Sequence, residues 1–150
     1  MDLKGDIVSA VDAIFSSMVM MPVEPSDVAL ELEPLTKSIS AMVGFAGARK
    51  GMIAVHMPQN VALAVTSSFI MMDVTEINED VEDAIGELAN MLGGQIKSVL
   101  AENGRDIELS IPTTISGQSY DFRSTGDNDR TVVYFKVDAG IFAIDCQLQK

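Results

Sequence analysis

The sequence predicts an α+β fold in which a mostly antiparallel sheet packs with long helices. Three features lead to it. The hydrophobic patterning runs in the order helix, strands, helix, helix, strands. Two apolar strand segments face each other across a glycine-bounded turn, Gly47-Ala48-Arg49-Lys50-Gly51. Each half of the chain reads as a helix leading into about three strands, an architectural duplication carried by pattern alone. At 150 residues and 47% hydrophobic composition, the expected organisation is a single domain over residues 1–150. A chain of that size hides about 70% of its unfolded surface.

The first helix is expected over residues 5–20, where Ile7, Val8, Val11, Ile14, Phe15 and Met18 recur at spacings of three and four before Pro22 and Pro25. Val28, Leu30 and Leu32 alternate with polar residues up to Pro34 and predict a strand. Residues 39–46 and 52–57 form the hairpin. Pro58, at a first-turn position, opens a second helix that ends near Met72. Asn78 and the acids Glu79 and Asp80 announce a third, running over residues 78–102 to an Asn103-Gly104 stop. Residues 107–115, 131–137 and 141–148 predict three further strands, with residues 117–130 a long polar loop between them.

Composition removes several functions. A net charge of −12, with ten basic residues scattered along the chain, argues against nucleic acid and favours a protein partner with basic groups. No apolar stretch approaches the roughly 18 residues of a membrane span, and Asp2 and Asp6 stand where a secretory signal needs a basic segment. A cytoplasmic protein without membrane insertion is expected. The single cysteine, Cys146, alternates with Phe142, Ile144 and Leu148 and reads as a buried strand thiol. His56 has no second histidine or nearby cysteine, so no metal site or triad is expected there. Asp127, Asn128 and Asp129 lack the remaining positions of a calcium loop. No cofactor-binding or metal-binding residue is expected.

The chemistry concentrates on the third helix. With Glu87 set at 0°, Asn90 falls at about −60°, Asp83 at about −40°, Gly94 at about −20° and Ser98 at about 20°. Ile85, Ala89, Leu92, Ile96, Val99 and Leu100 occupy the opposite, core-facing side by the same arithmetic. Gly86, Gly93 and Gly94 each cost a helix interior about 1 kcal/mol relative to Ala. Close packing within the fold offsets that cost on one reading. On the other, Gly94 keeps the stripe low so that another protein reaches Glu87 and Asn90, with Asp83, Gly94 and Ser98 as the surrounding partner surface. A carboxylate and an amide at i, i+3 have no nucleophile of their own. They fit hydrolysis of an aspartyl phosphate on a receiver domain that supplies metal and charge stabilisation, Asn90 orienting the water and Glu87 holding a basic group of the receiver. A non-catalytic binding or scaffold module fits the same stripe. A metal-dependent hydrolase built on Asp83 and Glu87 would need ligands from elsewhere.

The stretch Gly86-Glu87-Leu88-Ala89-Asn90-Met91-Leu92-Gly93-Gly94-Gln95-Ile96-Lys97 resembles the signature helix of the CheC, CheX and FliY chemotaxis phosphatases. Ser110-Ile111-Pro112-Thr113-Thr114-Ile115-Ser116-Gly117 resembles the strand and turn that follow it in CheX-type members, and residues 6–23 resemble their first helix. The resemblance implies a CheC-like α+β fold and a phosphatase acting on the aspartyl phosphate of a CheY-like response regulator. Glu87 and Asn90 are the catalytic pair it implies, with magnesium carried by the receiver. CheC-type relatives bear two such motifs; the single one here implies a CheX-like member that pairs as a homodimer, and a flagellar-switch scaffold is the alternative. Gln95 stands where many relatives have a shorter asparagine, followed by Ile96 in place of a small residue.

Overall fold

The computed structural model describes residues 2–101, 105–122 and 128–149. Helix α1 (Leu3–Ile14) starts on Asp2, whose carboxylate accepts the Gly5 N–H at 3.1 Å. It continues as a π-helical turn, Phe15–Val19, and stops at Met20 in the left-handed conformation, φ 61°. The strands are β1 (Glu24–Pro25), β2 (Leu35–Gly47), β3 (Gly51–Pro58), β4 (Ile107–Leu109), β5 (Thr113–Tyr120), β6 (Asn128–Val137) and β7 (Gly140–Gln149). Helices α2 (Gln59–Ile70) and α3 (Glu79–Leu100) lie between β3 and β4 in sequence. The α+β expectation is met.

Among the described residues all strands join one antiparallel sheet ordered β1-β6-β7-β3-β2, with β4 and β5 sharing the far edge of β2. Period-two alternation gives the sheet two different faces. Ile39, Val43, Ile53, Val55, Phe142 and Ile144 enter one core with the buried sides of all three helices. There Phe142 stacks between Phe15 and Phe135, each at 5.4 Å between centroids. On the opposite face, Leu35, Met52, Ala54 and Phe122 make a smaller cluster beside the buried Ser40, His56 and Asp145.

Four boundaries differ from expectation. Residues 28–32 are not a strand. Ser26 hydrogen-bonds both the N–H and the carbonyl of Val28, turning the chain out of the β1–β6 ladder, and Val28 is exposed while Leu30 and Leu32 are half-buried, so the alternation there marks neither a paired strand nor a buried face. The predicted strand over 107–115 is two strands, because Pro112 has no N–H to donate and β2 carries β4 and β5 on different stretches of its edge. The predicted loop over 117–130 is partly strand, since β5 extends to Tyr120 and β6 begins at Asn128, while Asp127 lies outside the described residues. Helix α3 ends at Leu100, and the Asn103-Gly104 stop also lies outside the described residues.

Candidate functional site

Local chemistry defines α3 from its first turn. Asn78 caps it, its side-chain oxygen accepting the Val81 N–H at 3.2 Å, and Glu79, Asp80 and Glu82 place negative charge on the first turn. Ile85, Leu88, Ala89, Leu92 and Ile96 are buried at 1% exposure or less, fixing the rotation of the helix against β2. That rotation presents Asp83, Glu87 and Ser98 exposed, with Asn90 and Gly94 half-buried between them. The predicted stripe is therefore one surface. Val99, expected in the core, is 42% exposed although Leu88, nearer to Glu87 at about 100°, is buried; Val99 lies in the last turn of α3, where it lines a groove against α1.

Among the described residues, neither Glu87 nor Asn90 makes a side-chain hydrogen bond or ion pair. Both polar heads are free for a second molecule. Ser98 is different: its hydroxyl donates to the Gly94 carbonyl at 3.2 Å, so it faces back onto the helix. The three glycines differ in what lies over them. A Cβ on Gly86 would stand 3.6 Å from Pro112, and one on Gly93 would stand 3.4 Å from Val43 and 3.6 Å from Leu109. Both positions are covered by neighbours at ordinary van der Waals distance, so a Cβ would fit and the packing does not demand glycine. A Cβ on Gly94 would meet nothing within 4 Å, so there the helix surface is left open. A shallow groove of about 380 Å³, lined by Ser9, Ala13, Gln95 and Ser98 among others, continues this surface between α1 and α3.

With that surface defined, comparison with known proteins becomes decisive. The family model described as chemotaxis phosphatase CheX matches residues 39–136, a span that includes all of α2 and α3. The chain belongs to the CheX family. It is 29% identical over 90 residues to the CheY-P phosphatase CheX of Thermotoga maritima, a match covering 59% of this chain and 58% of that protein. The chain thus matches little more than half the length of that relative. Among solved structures, the chemotaxis protein CheX from Desulfovibrio desulfuricans superposes at TM-score 0.84 with 25% identity, covering 99% of this chain and 100% of that one. The CheX of a CheX–CheY–BeF3–Mg complex from Borrelia burgdorferi shares the fold at TM-score 0.76 and 19% identity, over 99% of both chains.

Away from the α3 stripe lies a polar cluster that the sequence did not announce. His56 Nδ1 and the Ser40 hydroxyl lie 2.7 Å apart, His56 Nε2 and Asp145 lie 3.1 Å apart, and Arg130 donates twice to Asp145 at 3.0 and 2.9 Å. The Tyr120 hydroxyl extends the chain to Ser40 at 2.9 Å. Burial by itself would raise the Asp145 pKa, but hydrogen bonds from His56 and Arg130 and their charges outweigh it and hold the carboxyl below its ordinary value. Ser40, His56 and Asp145 are each at most 1% exposed, so no substrate reaches them and the cluster ties strands together. Burial also pushes the Cys146 thiol up to about 12, which keeps it protonated and inert. Among the described residues no group of three or more His, Cys, Asp or Glu is placed to hold a metal. No helix there is long and apolar enough to cross a membrane.

Proposed function

We propose that this protein hydrolyses the aspartyl phosphate of a CheY-like response-regulator receiver, acting in the cytoplasm as one domain over residues 1–150. The observation that carries the reading is the free, co-facial pair Glu87 and Asn90 on the packed α3, with open helix surface at Gly94, in a chain of the CheX family. Water attacks phosphorus, the bond from phosphorus to the acyl oxygen breaks, and the receiver regains its aspartate carboxylate while inorganic phosphate leaves. The Asn90 amide accepts from and orients that water, and Glu87 accepts from a lysine or other basic group of the receiver and so fixes the approach of Asn90. Magnesium bound in the receiver neutralises charge on the phosphoryl group. Asp83, Gly94 and Ser98 form the surface around the pair. The overall charge of −12 suits a partner that offers a basic group.

The test is the decay of phosphorylated receivers from the same genome. Wild-type protein should accelerate it. Asn90→Ala should lose turnover by about a hundredfold while still binding, the scale of one positioned polar group in a transition state, and Glu87→Ala should raise KM as well. Tight binding without accelerated decay would establish the scaffold reading instead. We also expect the chain to pair as a homodimer, which light scattering of the purified protein checks directly.

A further inference from the structure

Ile111 is 86% exposed; among the described large apolar side chains only Met71 is more so. It does not sit on a loose loop. The crossover between β4 and β5 is tied to β2 at Ser110, whose N–H donates to the Gly44 carbonyl at 3.0 Å and whose hydroxyl oxygen accepts the Gly44 N–H at 2.8 Å. The same hydroxyl lies 3.2 Å from the Ile111 carbonyl as donor. Beyond Ile111 the chain is seated on α3, the Pro112 Cβ lying 3.6 Å from where a Gly86 Cβ would stand. On the near side Leu109 packs at 3.6 Å from the equivalent position on Gly93. The crossover therefore follows one flank of α3 from Gly93 to Gly86 and holds Ile111 on a fixed backbone.

That flank borders the site. With Glu87 at 0°, Gly86 lies at about −100° and Gly93 at about −120°, so Asn90, at about −60°, falls between the flank and Glu87. A protein surface that covers Asn90 from this flank also meets the crossover beside it. An isoleucine held there contributes nothing to either core of this fold, since neither apolar cluster includes it. We propose that Ile111 is an apolar anchor of the receiver-binding surface, packing against an apolar patch of the receiver next to the phosphoaspartate. This rests on the receiver-phosphatase reading above. The acidic Glu87 would set orientation, and Ile111 would supply contact area in the manner of a buried interface anchor.

The experiment compares wild type, Ile111→Ser, Ile111→Leu and Val28→Ser. Val28 is 65% exposed and follows β1, at the opposite end of the sheet, and so controls for loss of an exposed apolar residue in general. Turnover is read from decay of a phosphorylated CheY-type receiver, and binding from titration with the same receiver held active by beryllium fluoride and magnesium. Ile111→Ser should raise KM and the dissociation constant on the order of tenfold with kcat unchanged, the effect of one apolar side chain leaving an interface. Ile111→Leu should restore both, and Val28→Ser should change neither. An active wild type whose KM and dissociation constant are unmoved by Ile111→Ser overturns the anchor alone. A wild type that neither binds nor dephosphorylates any receiver overturns the anchor together with the phosphatase reading.

Discussion

Replacing Gly94 with alanine should make the protein more stable and less active at the same time. Gly94 lies inside α3, six residues before its end, where alanine is favoured over glycine by about 0.8–1.0 kcal/mol. Nothing within 4 Å of the added Cβ opposes that gain. The whole of it should appear as stability, about 1 kcal/mol, or a rise in Tm of about 2–4 °C for a chain of this size. The same methyl stands on the stripe about 20° from Glu87 and one turn after Asn90. It would displace a docked receiver by about 1 Å, a misplacement that costs a positioned reaction on the order of a hundredfold. Thermal unfolding and phosphoreceiver decay on one preparation measure both effects. Gly86→Ala is the internal control: its Cβ makes ordinary contacts at 3.6 and 3.7 Å off the stripe, so it should gain comparable stability and keep turnover. A Gly94→Ala protein that is stabilised and fully active refutes the idea that glycine keeps this surface open for a partner. One that is destabilised refutes the helix energetics on which the argument begins.

Two predictions concern the opposite face. Asp145→Asn leaves Arg130 and His56 without their carboxylate and should cost about 3 kcal/mol in urea unfolding, at the low end for a broken buried pair because Arg130 is 36% exposed and regains water. A carboxyl held below its unfolded value, near 3.8, adds stability that is complete above that value and is lost as pH falls through the lower folded one. The gap between wild type and Asp145→Asn should therefore be constant near neutrality and narrow below about pH 4; a gap that widens in acid contradicts the assignment. Cys146, buried and with its pKa raised to about 12, should resist thiol reagents at pH 8 in the native protein and react only after unfolding. Rapid native labelling would place the thiol outside the core.

What the sequence revealed and what it hid follow from the range of the interactions involved. Helix α3 was legible because every signal for it is local: an N-cap three residues before the donor it satisfies, acids in the first turn, and an apolar arc repeating at helical spacing. Its exposed stripe followed by rotation, and so did Glu87 and Asn90 as neighbours. Val99 was misplaced because its exposure follows from its place in the last turn of α3, beside a groove against α1, and not from its angle on the helix. The division of labour among the glycines was not legible. Whether a glycine accommodates a packed neighbour or an empty space depends on Pro112, Val43 and Leu109, which tertiary structure alone brings to the helix.

Strand text failed in two ways, both traceable to pairing. Alternation over residues 28–32 is silent on whether a ladder partner is present, and Val28 is exposed despite it, so a bent connection and a strand read alike. The Ser40–His56–Asp145 chain is the stronger case. Its members are 16 and 89 residues apart, and they meet because Ser40 pairs with His56 while β7 is registered to set Asp145 diagonally across from it. A polar residue alternating with apolar ones predicts a solvated face. Here that face is covered by Phe122, whose ring meets His56 edge-on at 4.8 Å, so the same alternation marks a closed network. The two sheet faces thus divide the protein's work. One buries its polar groups against each other, and the other packs apolar side chains under α3 so that the polar residues left over on that helix, Glu87 and Asn90, make no side-chain hydrogen bond within the described residues.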